Sequence, residues 1–180
     1  MILLTLLMAM QVAPGSPPAK APNVLSVCDV LLNDPTRLNG KAVRVRGYLT
    51  WDAHGESLGG DCKSHLVTKG LAWANYISVY VDAADEGISR SWEQIRTAGR
   101  RLHVDWERDR VWVTIVGRLE TRPTMDDAVV QRPYGLARAG FGMGGEPAEI
   151  NVISVEDIKV ERGPIDPSRF DVQPPQDQTR

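Results

Sequence analysis

Net charge is nearly absent from this sequence: 23 acidic residues stand against 21 lysines and arginines, a formal balance of −2. No global field therefore recruits a nucleic acid or an anionic membrane, and any basic surface has to be local. Long apolar runs are also missing. The run Ile2 to Met10 holds about nine residues, where a helix crossing the hydrocarbon core needs about 20, so no transmembrane anchor is expected. There is no internal repeat. There is no nucleophile elbow, no His-Glu-x-x-His and no phosphate loop. The adjacent acids Asp126-Asp127 and Glu156-Asp157 point to opposite faces of an extended chain and make no acid/base dyad. A non-enzyme without a cofactor is the expectation.

Cysteine is scarce as well, with only Cys28 and Cys62. Residues 1–22 combine the apolar run with small residues and prolines, which reads as a secretory signal peptide. It carries no Lys or Arg ahead of the run, and its cleavage sites, such as Ala13-Pro14-Gly15 before Ser16, are mediocre. No cysteine follows at the spacing of a lipid anchor. In an exported chain a lone cysteine pair forms one disulfide, which stabilises by about 3 to 4 kcal/mol on the chain-entropy model. The alternative is two buried thiols acting as small hydrophobes. A secreted or periplasmic location follows from the first reading.

What is present is period-two alternation. In Leu38 to Trp51, the residues Val43, Val45, Gly47, Leu49 and Trp51 share one face, and Arg44, Arg46, Tyr48 and Thr50 share the other. Asn39-Gly40 turns the chain into that strand. Further strands are expected at Ser64 to Thr68, Trp73 to Asp82, Arg110 to Arg122 and Glu149 to Val160. A short helix at Ser26 to Asn33 is capped by Ser26 and stopped by Asp34-Pro35. A second spans Glu86 to Gly99, with Ser91 and Gln94 as its capping box. Three strands, a helix and two strands in about 140 residues, the size of one ordinary domain, predict an all-β domain over 23–162. Its expected form is a five-stranded OB-fold-like Greek-key barrel with the helix between strands three and four. Gly47 and Gly117 lie inside strands, where a barrel needs a bend or close approach. The stretch 163–180 has almost nothing to bury and reads as a disordered tail.

The run V-C-D-V-L-L-N-D-P-x-x-L-N-G-K-x-V-x-V-R-G, residues 27–47, resembles the opening of a family of exported bacterial proteins of unknown function. The closing segment of that family resembles GFGMGGEPAEINVISVEDI, residues 140–158. The two segments cover about a quarter of the chain. The resemblance implies an OB-fold and export, and it assigns no functional residue.

Three places attract a functional reading. The outward positions Arg44, Arg46, Tyr48, Tyr76, Tyr80, Arg110, Trp112 and Arg118 form an Arg/aromatic set of the kind that holds single-stranded nucleic acid or oligosaccharide, at about 1 to 3 kcal/mol per stacked base. Asp52, His54, Asp61, Cys62 and His65, near the first hairpin, are competent metal ligands, but their spacing matches no known ligand pattern. The segment Pro123 to Pro147 is too long for a plain hairpin. Its Gly140 to Gly145 run is not a phosphate loop, because no Lys-Ser/Thr and no helix follow. It reads as backbone packing over a barrel end, with Phe141 as a plug. The expectation is a non-catalytic binding or interaction module for an unidentified protein or small ligand. Nucleic-acid or oligosaccharide binding, and metal binding at the first hairpin, are the alternatives.

Overall fold

The computed structural model describes residues 23–52, 55–82, 84, 86–105, 108–142 and 145–163. The side chains of residues 51, 52, 87, 88, 91 and 94 are outside that description, as are the signal-like segment 1–22, His54 and the tail from 164 onward.

The chain enters through β1 (Val24–Ser26) and α1 (Val27–Leu32). Ser26 caps α1 reciprocally: its side chain accepts from the Asp29 amide at 3.0 Å, and its own amide donates to Asp29 Oδ2 at 2.9 Å. The Ser26 hydroxyl also donates to Asp29 Oδ2 at 2.7 Å, and that bond first, with the one from the Ser26 amide, holds the Asp29 carboxyl pKa below its ordinary value. A 3-10 turn at Pro35–Leu38 and Gly40, at φ +70°, then feeds β2 (Ala42–Asp52). β3 (Gly55–Gly59), a small hairpin of β4 (Val67–Thr68) and β5 (Leu71–Ala72), and β6 (Tyr76–Tyr80) follow. The long helix α2 (Glu86–Arg101) precedes β7 (Arg110–Thr121). A second hairpin, β8 (Val129–Arg132) and β9 (Gly135–Arg138), precedes β10 (Ala148–Glu161).

Five strands close a ring in the order β2-β3-β6-β10-β7, with β7 pairing back to β2. β6 and β10 run parallel, with Ile150 opposite Val79; the other pairs in the ring are antiparallel. With α2 between the third and fourth strands, this is a closed, OB-fold-like Greek-key barrel. β1 lies parallel against β2 outside the ring, with Leu25 opposite Val45.

The alternation decides the core. Val45, Val113, Ile115, Leu58, Ile77 and Ile150 are fully buried within one cluster. Val27, Val30 and Leu31 of α1 and Trp92 and Ile95 of α2 pack into the same cluster. Gly47 and Gly117 are close-approach positions. A Cβ on Gly47 would lie 2.6 Å from the Gly59 carbonyl oxygen, and one on Gly117 would lie 2.4 Å from that of Asn151. β10 follows β7 along its whole length only by slipping register between Val152 and Ser154 and between Glu156 and Lys159. Bulges of this kind bend a long strand round a closed barrel.

Four expectations change. The second barrel strand is Gly55–Gly59, inside the stretch read as a polar loop, while Ser64 to Thr68 contributes only β4 to a separate two-stranded sheet. Period-two burial was too weak to mark a strand of five residues containing two glycines. Ser91 lies within α2, five residues past its start at Glu86, so it does not cap the helix. The Pro123 to Pro147 segment has structure of its own, including β8 and β9. Phe141 is not a core plug; its ring lies under the Arg122 guanidinium at 5.4 Å.

Candidate binding face

The ring turns the even-numbered side chains of β2, β6 and β7 outward. Register sets Trp112 opposite Tyr48, Tyr48 opposite Gly59, and Gly59 opposite Tyr76. Glycine at 59 leaves room for the rings on either side: a Cβ there would lie 2.5 Å from Tyr48 Cε2 and 2.7 Å from Tyr76 Cε1. The Tyr48 ring therefore meets Trp112 edge-on at 5.5 Å and Tyr76 edge-on at 6.5 Å. T-shaped pairs at these separations are favourable beyond their buried area.

The middle ring of this row, Tyr48, is covered from above. Arg110, at the head of β7, places its guanidinium 4.6 Å from the Tyr48 ring centre and donates from NH1 to Asp61 Oδ2 at 2.8 Å. Tyr48 is left only 5% exposed although it faces outward. That burial raises the Tyr48 phenol pKa well above the ordinary 10.0. The neighbouring Tyr76, through its partial charge and a hydrogen bond, and the Asp61 charge push the same way, while Arg110 opposes them. Trp112 Nε1 donates to Glu161 Oε2 at 2.6 Å.

The remaining outward arginines lie elsewhere and are engaged. Arg44 pairs with Glu156 at 2.6 Å. Arg46 NH1 reaches the Thr114 hydroxyl at 3.4 Å, and Arg118 NH1 donates to the Gly40 carbonyl at 2.7 Å. The eight outward residues thus split into a cluster of Tyr76, Arg110 and Trp112 around the covered Tyr48, three arginines on β2 and β7 with partners of their own, and Tyr80.

Tyr80 is half-exposed on β6. Around it the strands present groups that the sequence pattern did not single out. Asn151 is opposite Tyr80, Glu149 opposite Ser78, Glu120 opposite Glu149, and Ser57 opposite Ser78. Ser78 Oγ donates to Glu149 Oε2 at 3.2 Å, and Ser57 Oγ donates to Glu146 Oε1 at 3.4 Å. Burial raises the Glu149 carboxyl pKa above its ordinary value; the Ser78 hydrogen bond opposes this and Glu120 adds to it. The face of β6 and β10 is thus a tyrosine ring bordered by hydroxyls, an amide and carboxylates. Alternation on β10 was the available signal, since Glu149 and Asn151 take the positions between Ile150 and Val152.

The metal alternative finds its residues dispersed. Asp61 is on Arg110, Cys62 is oxidised, and His65 Nδ1 is 3.1 Å from the Trp73 carbonyl oxygen. His54 lies outside the described residues, and among the described residues no group of three His, Cys, Asp or Glu side chains could hold a metal ion.

The two cysteines are joined, Cys28 of α1 to Cys62 after β3, with Cα atoms 5.3 Å apart. Among the described residues no helix is long and apolar enough to cross a membrane. A search of known protein families, of curated proteins and of solved structures finds no match.

Proposed function

We propose that this chain is an exported, non-catalytic binding module of the cell envelope or exterior, a member of the OB-fold group, and that it takes its ligand on the outer face of β6 and β10. The observation that carries this reading is Tyr80. A half-exposed aromatic ring on a barrel strand, bordered by Asn151, Ser78 and Glu149 in register, matches the way binding surfaces combine an apolar platform with a few orienting polar groups. Tyr80 also lies on β6, the third barrel strand in chain order, and the second and third strands carry the face that barrels of this topology use for oligonucleotides and oligosaccharides. The resemblance of residues 27–47 and 140–158 to exported proteins supports the compartment, as does the disulfide.

Of the two polymers, an oligosaccharide fits better. Glu120, Glu146 and Glu149 border the face, and carboxylates repel a phosphate backbone while accepting hydrogen bonds from sugar hydroxyls. The arginines that would have neutralised phosphates are on β2 and β7 with protein partners. Calorimetric titration with chitohexaose and cellohexaose, with oligo-deoxythymidylate as comparison, tests the choice. Saccharide binding abolished by Tyr80→Ala is expected. Tight binding of the oligonucleotide alone, or saccharide binding unaffected by Tyr80→Ala, would contradict it. N-terminal sequencing and a free-thiol assay on protein from its host test export: an intact Met1 with reduced cysteines would reverse it.

A further inference from the structure

The disulfide and the covered aromatic row are joined through a single residue. Cys62 is preceded by Asp61, whose carboxylate holds Arg110 over Tyr48. The loop carrying Asp61 is tied at two points. The Gly60 amide donates to the Asn75 carbonyl at 3.1 Å, and Cys62 is bonded to Cys28 on α1. The first tie lies before Asp61 and the second directly after it; the Cys62 amide also donates back to the Gly60 carbonyl at 2.9 Å, and the Trp73 amide donates to the Leu66 carbonyl at 2.8 Å further on, so it is the disulfide that fixes the far side of the carboxylate to α1. Gly60 itself is pressed against α1, where a Cβ would lie 2.8 Å from Val27 Cβ and 3.2 Å from Cys28 Sγ.

The Arg110 side chain is 7% exposed and that of Asp61 is 47% exposed. The pair is asymmetric: the guanidinium is inside, and its carboxylate partner comes in from a surface loop. A buried charge depends on its partner being held in place, because the desolvation cost remains when the partner leaves. Both cysteines are only half-buried, so a small dithiol can reach the bond.

We propose that the Cys28–Cys62 disulfide is a redox clasp for the aromatic row. While it is intact, Asp61 keeps Arg110 over Tyr48, and the middle of the Trp112–Tyr48–Tyr76 row is shut. A dithiol opens it by thiol–disulfide exchange: its thiolate attacks one sulfur, the Cys28–Cys62 bond breaks, and the second thiol of the reagent resolves the mixed disulfide. Two electrons and two protons pass to the protein, which gains two thiols, and the dithiol leaves as a cyclic disulfide. Loop 60–62 then loosens from α1, Asp61 withdraws and the guanidinium follows it toward solvent. Tyr48 and its neighbours become an accessible aromatic surface beside Tyr80. The clasp acts independently of which ligand the β6–β10 face takes.

O-acetylation of tyrosines by N-acetylimidazole, with each site read by peptide mass mapping, tests the clasp. Tyr80 and Tyr134, which are 51% and 98% exposed, serve as internal references. Tyr48 of the oxidised protein is expected to resist, and to label severalfold faster after dithiothreitol treatment and in the Cys28→Ser/Cys62→Ser double variant. The decisive variant is Asp61→Asn, which keeps the disulfide and the fold but removes the negative charge that faces Arg110. It is expected to speed Tyr48 labelling in oxidised protein while Tyr80 and Tyr134 keep their rates. Tyr48 labelling unchanged in Asp61→Asn overturns the clasp, even if the cysteine variants label faster through general loosening.

Discussion

Asp61 and Arg110, 49 residues apart in sequence, meet at 2.8 Å, and the guanidinium they fix lies 4.6 Å from the centre of the Tyr48 ring. An outward strand position is thereby converted into a buried one. Tyr48 behaves as a second small core on the outside of the barrel, and its removal should cost what core truncations cost. Tyr48→Ala is expected to destabilise by about 3 to 5 kcal/mol and Tyr48→Phe by about 1 kcal/mol, the second change losing only the hydroxyl and its hydrogen bond. Urea unfolding midpoints separate the two. Equal, small effects would mean that the ring is not packed as described.

Gly117 tests the barrel from inside. A methyl at this position meets backbone, the Asn151 carbonyl oxygen, rather than a side chain that can rotate away. Gly117→Ala should therefore destabilise by about 1 to 3 kcal/mol through overpacking, whereas a serine or alanine at Gly145, where a Cβ meets nothing within 4 Å, should leave the unfolding midpoint nearly unchanged. Similar losses at both positions would contradict the close strand approach.

Among the described residues two groups, Glu149 and Tyr48, hold their protons more tightly in the folded chain and act in the same direction, while the lowered Asp29 carboxyl acts in the opposite one, its contribution being lost as pH falls. Burial raises the Glu149 carboxyl above its ordinary 4.5 and the Tyr48 phenol above its ordinary 10.0. In each case the folded chain holds the proton more tightly than the unfolded chain. Stability from the group is complete below its unfolded value and is lost as pH rises through its folded value. Glu149→Gln should flatten the decline in melting temperature between acidic and neutral pH, and Tyr48→Phe should flatten the decline above pH 10. A Glu149→Gln variant that loses stability at neutral pH would reverse the sign.

The disulfide closes a loop across a sequence separation of 34 residues. Cys28→Ser/Cys62→Ser is expected to lose about 3 to 4 kcal/mol on the chain-entropy model. A melting temperature that does not respond to dithiothreitol would show that the bond does not contribute.

How much of this was legible in the sequence varies by element. β2 and β7 are long and half-buried, so their alternation alone assigned Val45 and Val113 inward. Ser26 and Asp29 announced α1 by their capping chemistry. β3 escaped because five residues with glycine at both ends carry too little pattern. The long segment before β10 hid a hairpin, since Val129 at the start of β8 packs with Trp73 in a side cluster rather than on the barrel core. For the face, outward parity found the tyrosines and arginines, but parity cannot tell exposure from cover. Arg44, Arg46 and Arg118 are engaged by partners distant in sequence, and Tyr48 is shut beneath Arg110, which only the closed ring brings to it.

Tyr80 is the position where binding and stability should separate. Tyr80→Ala is expected to change unfolding free energy by no more than about 0.5 kcal/mol, as for an exposed side chain free of special contacts. The most direct measurement is a nitrogen-15 NMR titration of the oxidised protein with chitohexaose and cellohexaose. Shifts confined to Tyr76, Ser78, Tyr80, Glu149 and Asn151, and absent from the Tyr80→Ala variant, are the expected result. Shifts centred on Arg44, Arg46 and Arg118, or none with either saccharide, would contradict the assignment of the β6–β10 face as the binding surface.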